Sequence, residues 1–328
     1  MASSESSVSA AAVSAPAQRQ GVVVVGSFVV DLAFLSERMP TAGETIRGET
    51  FSIGAGGKGS NQAVAAARAG AEVVLVSAVG EDRFAAMAEE ALRREGIGAG
   101  HLHRFPRAHT GVAFIHVDTR SGDNRIIVVP GANDCLEARH VAAASANIAG
   151  ARVLLTQLEQ PVATAEDALL EARKHGVCTV FNPAPAADVS DVLLRLCDYV
   201  TPNESETQTL TGMPVGSRDE IHAAASRLRA RGARSVVVTL GARGAFLLDE
   251  HGGHWFDPCD AGAAIDTTGA GDAFNGAFVA ALANGANATQ AVQRGCAAGA
   301  ICVTRSGTSA AMPWAHEIDA LLSANTPA

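Results

Sequence analysis

Aromatic side chains are scarce: Phe, Trp and Tyr together make up 4% of the 328 residues. Large rings therefore cannot carry the core, which must be packed from Ala, Val, Leu and Ile, a composition that suits parallel strands covered by Ala-rich helices. Excess positive charge is also missing. The net charge is −9, which excludes the basic face that a nucleic-acid surface requires, so any phosphate site must be local. No run approaches the ~18 uninterrupted apolar residues of a membrane span. The six cysteines, at positions 135, 178, 197, 259, 296 and 302, include no C-x-x-C pair and lie mostly within apolar segments. They read as reduced, buried thiols in a cytoplasmic compartment rather than as disulfides or zinc ligands. Residues 1–20 lack the basic and apolar regions of a secretory signal and read as a disordered tail rich in Ser and Ala. An organellar transit peptide is the alternative, and a single Arg counts against it.

What is present is a rhythm. Val22–Gly26 is a short β-branched run ending in Gly-Ser, and another begins at Val73; both have the pattern of buried parallel strands. Ser60–Ala69 is an Ala-rich helix candidate closed by Gly70, and Asp82–Glu95 is a second closed by Gly96. The alternation continues through strands near Val153–Thr156, Val177–Phe181 and Val236–Leu240, and helices near Val162–Lys174, Asp219–Arg231, Asp272–Ala283 and Ala288–Val303. Strand and helix in turn predict an α/β fold with a doubly wound, mainly parallel sheet between two helix layers, formed by residues 21–325 as one domain. Two segments break the rhythm. Val29–Ile53 and Thr110–Val129 read as hairpins, the second around Ser121-Gly122-Asp123-Asn124, and together predict a small β-sheet lid over the crevice at the strand C-termini.

The densest chemistry lies in Asp266-Thr267-Thr268-Gly269-Ala270-Gly271-Asp272-Ala273-Phe274-Asn275. Gly269 and Gly271 let the backbone curl with its amides inward, and a helix starting near Asp272 adds its positive dipole end, a combination that favours phosphate. Phosphoryl transfer needs such donors for its charged transition state and a carboxylate to orient the attacking hydroxyl, the role open to Asp272. The competing reading is a helix start with an acidic first-turn residue, worth about 0.3–1 kcal/mol.

Gly54-Ala55-Gly56-Gly57-Lys58-Gly59-Ser60-Asn61 formally matches the dinucleotide fingerprint, but it comes after the predicted lid hairpin and not in the first strand-to-helix turn; Gly59 after Lys58 also rules out a Walker loop. It reads as a turn presenting backbone donors and the Asn61 amide to sugar hydroxyls, or as a helix entry capped by Ser60 or Asn61. Asp31, Glu159 and Asn182 each follow an apolar strand, at the ligand-binding edge. Asn203 and Glu206 have the spacing of a capping box or of a site for magnesium-bound water near phosphates. Thr239 to Gly244 is a hairpin turn or a nucleotide-contacting loop. His251 and His254 frame a glycine turn, and His101 and His103 sit in a polar stretch read as a loop, so all four read as surface residues.

As a series, Gly26-Ser27 with Asp31, Pro40 to Thr45, Gly56 to Ala63, Gln157-Leu158-Glu159, Asn182 to Ala186, Pro202-Asn203-Glu204, Thr239-Leu240-Gly241 and Asp266 to Asn275 resemble the ribokinase-like (phosphofructokinase B type) sugar kinases, in order over about residues 22–322. The resemblance implies ATP-dependent phosphorylation of a pentose, D-ribose, at its 5-hydroxyl. It implies Asp272 as base and the amides of Gly269, Ala270 and Gly271 as anion hole. Asp31, Gly57, Lys58 through its backbone, Asn61 and Glu159 would hold the sugar. Asn203, Thr239, Gly241 and Gly271 would contact ATP, and Glu206 would place magnesium. It further implies an activating potassium ion near Asp266, Thr268, Cys302, Arg305 and Gly307, several through backbone carbonyls, and a homodimer in which lid sheets pair, which would cover their open edges. One position departs: many ribokinases have Asn where Val29 stands, and deoxyribokinases, which also resemble this chain, have an apolar residue there. That leaves 2-deoxy-D-ribose as the alternative substrate, with nucleosides a further one.

Overall fold

A computed structural model describes residues 21–121 and 123–324; the predicted tail and Gly122 of the predicted turn lie outside them. The four valines of β1 (Val22–Val25) are all buried, and their alternation sends Val22 and Val24 into one core and Val23 and Val25 into another. The first core is filled by the helices Lys58–Arg68, Ala270–Ala283 and Ala288–Cys302, the second by Val162–Lys174 and Arg218–Arg231. Three layers result, with small side chains on the helices as the shortage of aromatics demands.

The remaining strands, in chain order, are β2 (Val29–Ser36), β3 (Thr50–Gly56), β4 (Val73–Gly80), β5 (Gly98–Phe105), β6 (Gly111–Asp118), β7 (Asn124–Val129), β8 (Val153–Thr156), β9 (Cys178–Phe181), β10 (Tyr199–Val200), β11 (Ser235–Thr239), β12 (Ala245–Asp249) and β13 (Gly252–Phe256). Nine form one sheet in the order β13-β12-β11-β10-β9-β8-β1-β4-β5, parallel from β5 through to β11, with β12 and β13 added antiparallel at one edge. The strand order reverses direction of growth at β1, so the crevice opens at the C-terminal end of β1 and β8. The predicted class is observed.

The other four strands form the smaller sheet, ordered β3-β2-β6-β7. Each predicted hairpin is there, and the two join through the parallel pair β2 and β6. The first hairpin extends past its predicted end to Gly56, because Gly54 and Gly56 are strand residues placed opposite Asp31 and Val29. A Cβ on Gly56 would come within 2.2–2.4 Å of the Asp31 carboxylate, so glycine there makes room for that side chain.

Three further expectations are corrected. His101 and His103 belong to β5, a half-exposed edge strand whose mixed polarity hid its period. The helix expected to start near Asp272 starts at Ala270. All six cysteines are free, but only Cys197 and Cys302 are fully buried. Among the described residues no helix is long and apolar enough to cross a membrane.

Candidate active site

The helix Ala270–Ala283 is entered through Gly269, whose left-handed φ of 81° only glycine adopts readily, and a Cβ there would press on Met312 at 3.2 Å. Among the described residues the N–H groups of Gly269, Gly271 and Asp272 have no acceptor, and that of Ala270 reaches the Thr267 carbonyl only at 3.4 Å. The turn thus presents backbone donors at the positive end of a 14-residue helix. Asp272, third in the helix, is 6% exposed. Its Oδ2 accepts from Asn61 Nδ2 at 3.0 Å and its Oδ1 from Gln62 Nε2 at 2.9 Å.

Those donors arrive because two helices pack closely. A Cβ on Gly276 would lie 2.3 Å from the Ala65 Cβ and 2.7 Å from the Gln62 carbonyl, so the helices Lys58–Arg68 and Ala270–Ala283 meet backbone to backbone. One turn back along each, Asn61 and Gln62 face Asp272. Gly57, at φ 89°, is the N-cap of Lys58–Arg68. Capping by Ser60 or Asn61 is therefore corrected: both are inside the helix, where Asn61 bonds Asp272 and accepts from Ser309 Oγ at 2.6 Å.

On the lid side, Asp31 lies on β2 and its Oδ2 accepts from Thr308 Oγ1 at 2.8 Å. Burial raises its carboxyl to about 6, and the neighbouring carboxylates of Glu159 and Asp272 push the same way against the Thr308 bond. Glu159 Oε2 accepts from Ser27 Oγ at 2.6 Å and from the Lys58 N–H at 2.8 Å, so it braces the first strand's exit against the glycine turn. The Lys58 ammonium loses hydration there, yet the fields of Asp272, Glu159 and Glu206 outweigh that cost and raise its pKa. The predicted sugar side, Asp31, Gly57, Lys58, Asn61 and Glu159, thereby surrounds one crevice with Asp272.

Asn203 and Glu206 form the capping box of the helix Glu204–Thr211, with reciprocal bonds of 2.8 Å. That satisfies the structural reading without moving Glu206 from the crevice, where burial and Asp272 raise its carboxyl despite the Asn203 N–H and Lys58. Asn203 bridges Thr239 at the end of β11, and Gly241 follows in a short 3₁₀ turn before antiparallel β12, the hairpin turn that the sequence allows. Near the anion turn, Asp266 Oδ1 accepts from the Thr268 N–H at 2.9 Å and Oδ2 from the Gly307 N–H at 3.1 Å, tying the segments 266–268 and 302–307 together. The Arg305 guanidinium turns away to Glu317, so a cation contact there is limited to its main chain. Burial, helped by Asp272 and Asp266, pushes the Cys302 thiol up to about 12, which keeps it neutral. The donors left are carboxylate, hydroxyl and carbonyl oxygens, a set that fits hard cations such as potassium and magnesium. Among the described residues no cluster of three His, Cys, Asp or Glu could hold a metal by itself.

Thr308 and Ser309 had no place in the sequence reading, though they touch Asp31 and Asn61; their signal was slight, two hydroxyls after Gly307. Gln62 and Gln157 stand out in the sequence only as motif positions.

Residues 19–315 match the model of the pfkB family carbohydrate kinases. The chain is 40% identical to a ribokinase of Haemophilus influenzae over 299 residues, 91% of this chain and 97% of that one. It is 36% identical to a deoxyribokinase of Salmonella typhimurium over 305 residues, 93% and 99%. The solved structure of Arabidopsis thaliana ribokinase complexed with ribose and ATP superposes with a TM-score of 0.85 at 30% identity, covering 93% of this chain and 99% of that one. A crevice with a carboxylate beside unpaired amides, in a chain related this closely along nearly its whole length, leaves one assignment: it belongs to the pfkB family of carbohydrate kinases, phosphotransferases acting on a sugar hydroxyl.

Proposed function

We propose that this protein is an ATP-dependent ribokinase that transfers the γ-phosphoryl group to the 5-hydroxyl of D-ribose. One observation carries the reading: the Asp272 carboxylate stands in the crevice beside the free N–H groups of Gly269 and Gly271 and is linked through Asn61 to the sugar side. Asp31 and Asn61 hold the sugar hydroxyls, while Glu159 keeps the Lys58 and Gly57 turn in place. Asp272 aims the 5-hydroxyl and takes its proton as the phosphoryl moves, and the amides of Gly269, Ala270 and Gly271 receive its charge. Asn203, Thr239 and Gly241 line the nucleotide side. Magnesium, placed with the help of Glu206 and bound largely through water, would neutralise the phosphate oxygens. Potassium would sit among the oxygens of Asp266, Thr268, Cys302, Arg305 and Gly307 and strengthen the anion hole's field.

The exposed apolar strand Ile126–Val129 at the lid's edge supports a homodimer in which two lids cover each other. Six free thiols suit a cytoplasmic protein. Val29 keeps a second substrate, 2-deoxy-D-ribose, open. It is 2% exposed, clustered with Ala113 and Ile115 on the lid face that carries Asp31, and offers no partner to a hydroxyl.

The test is ADP release from ATP with D-ribose, 2-deoxy-D-ribose or adenosine as acceptor, with and without potassium. D-ribose should give the highest kcat/KM. Asp272→Asn should still bind the sugar and lose turnover by about 10³-fold or more. Turnover near that of the parent would remove Asp272 as base.

A further inference from the structure

Among the described residues no charged side chain bonds to Asp272; neutral amides hold both its oxygens. The amide on Oδ1 belongs to Gln62, which is fully buried and fully satisfied. Its Oε1 accepts from Gln157 Nε2 at 2.6 Å, and its two N–H bonds go to Asp272 Oδ1 at 2.9 Å and Asn182 Oδ1 at 3.0 Å. Asn182 donates to the Thr201 carbonyl at 2.9 Å, and a carbonyl only accepts, so the Asn182 oxygen must face Gln62. Thr201 Oγ1 donates to Asn275 Oδ1 at 2.6 Å, and Asn275 Nδ2 donates to the Gly271 carbonyl at 2.8 Å. The chain therefore starts at the acid's carboxylate and returns, through Asn275 three residues on, to the carbonyl of Gly271, the residue just before the acid.

We propose that Gln62 is a positioning residue for phosphoryl transfer. It sets the plane of the Asp272 carboxylate and, through Asn182, Thr201 and Asn275, couples that plane to the Gly271 peptide. The inference rests on the reading of Asp272 as the acceptor of the sugar proton. A carboxylate on a short side chain can rotate about its last bond, and rotation turns the free lone pair away from the hydroxyl. Asn61 alone fixes one oxygen and leaves the other to swing. Gln62 fixes the second oxygen without adding a positive charge that would weaken the base. The dead-end orientation of every amide in the chain makes this hold directional: none can flip without setting two oxygens or two N–H groups against each other.

Two variants test it in the full-length protein, beside Asp272→Asn. Gln62→Met keeps the volume and removes the donor. It should lower kcat by about 10- to 100-fold and leave the sugar KM within about threefold, because Asp31 and Asn61 are untouched. Gln62→Glu keeps the shape and makes the donor depend on protonation: the protonated carboxyl donates to Asp272 Oδ1, the ionised one repels it. Its kcat should therefore climb as pH falls over a range in which the parent's does not. Parent-like kcat in Gln62→Met with only a lower Tm, or a Gln62→Glu pH profile parallel to the parent's, overturns the proposal. If Asp272→Asn keeps turnover, the Asp272 reading fails first; if Asp272→Asn is inactive while both Gln62 variants turn over normally, only the role of Gln62 fails.

Discussion

Every residue of β1 and β8 is buried, whereas every residue of β7 is exposed, and the two kinds of strand belong to sheets with different work. The centre of the nine-stranded sheet is covered on both faces, so each apolar residue of β1 and β8 adds burial worth roughly 25 cal/mol per Å². The lid sheet is anchored at one end, where Val30, Leu32 and Val112 pack on Val79, Ala85 and Ala88. Farther out it touches the body through few bonds, Thr308 to Asp31 and Asn124 Nδ2 to Thr268 Oγ1 at 3.2 Å. Its outer face ends in Phe34, tilted against Phe51 and Phe114, with Phe34 and Phe51 exposed and Phe114 half-buried. A densely packed platform carries the residues proposed to react, and a cover with fewer contacts to it carries Asp31. Segments with little buried area are the ones that open below the global unfolding free energy.

Matched truncations would break that contrast most directly. Phe278 is fully buried, edge to face with Tyr199 at 5.3 Å and stacked on Phe274 at 6.0 Å. Phe278→Ala should cost about 3–5 kcal/mol in denaturant unfolding. Phe34, 42% exposed on the lid, should cost under about 1 kcal/mol when truncated. Equal costs would mean that the lid is as integral to the fold as the platform.

A smaller effect separates the sheets by pH. Asp31 is held near 6 by burial and by Glu159 and Asp272. A raised carboxyl is protonated in the folded protein below that value, and a protonated Asp31 accepts poorly from a diol. The sugar KM should therefore rise as pH falls through about 6, by roughly tenfold one unit below, while kcat at saturating sugar changes less. Asp31→Asn should abolish that inflection. The same shift runs the other way for stability: the folded state binds the Asp31 proton more tightly than the unfolded chain does, so this group's contribution declines as pH rises from 3.8 to about 6. A KM flat across pH 5–7 would detach Asp31 from the sugar.

The elements of both sheets were far more legible than the contacts between them. Runs such as Val22–Val25 and the Ala-rich stretch Ala63–Ala66 announce burial and period locally, and local pattern is what a sequence displays. β5 failed that test because an edge strand with Gly98, His101 and Arg104 has no clean apolar face. The candidate site residues on strand ends and in glycine turns are readable from the sequence, but not how they meet. Ser27 reaches Glu159 across 132 positions, Asn61 reaches Asp272 across 211, and Thr308 reaches Asp31 across 277. Such pairs depend on how segments distant in sequence pack, as the helices of Asn61 and Asp272 do at Gly276, and leave no periodic trace. The Gln62 chain was hidden for the same reason: its members are ordinary amides until the fold aligns them.

The finest test of the comparison lies on the lid face itself, where Val29 stands two residues from Asp31. Val29→Asn would put an amide where Val29, Ala113 and Ile115 now form an apolar patch. With ribose bound, the amide could pair with a hydroxyl that 2-deoxyribose lacks, and one hydrogen bond of about 0.5–1.5 kcal/mol should shift the ratio of kcat/KM toward ribose by roughly two- to tenfold. Without sugar the same amide is stranded in the patch, so the free enzyme should lose about 1–3 kcal/mol locally. Because the lid is weakly coupled to the platform, that loss should appear as faster amide hydrogen exchange in β2 and β6, with the exchange of β1 and β8 unchanged. A substrate ratio that stays put, or protection lost equally in both sheets, would show that the cover neither reads the sugar at this position nor moves apart from what it covers.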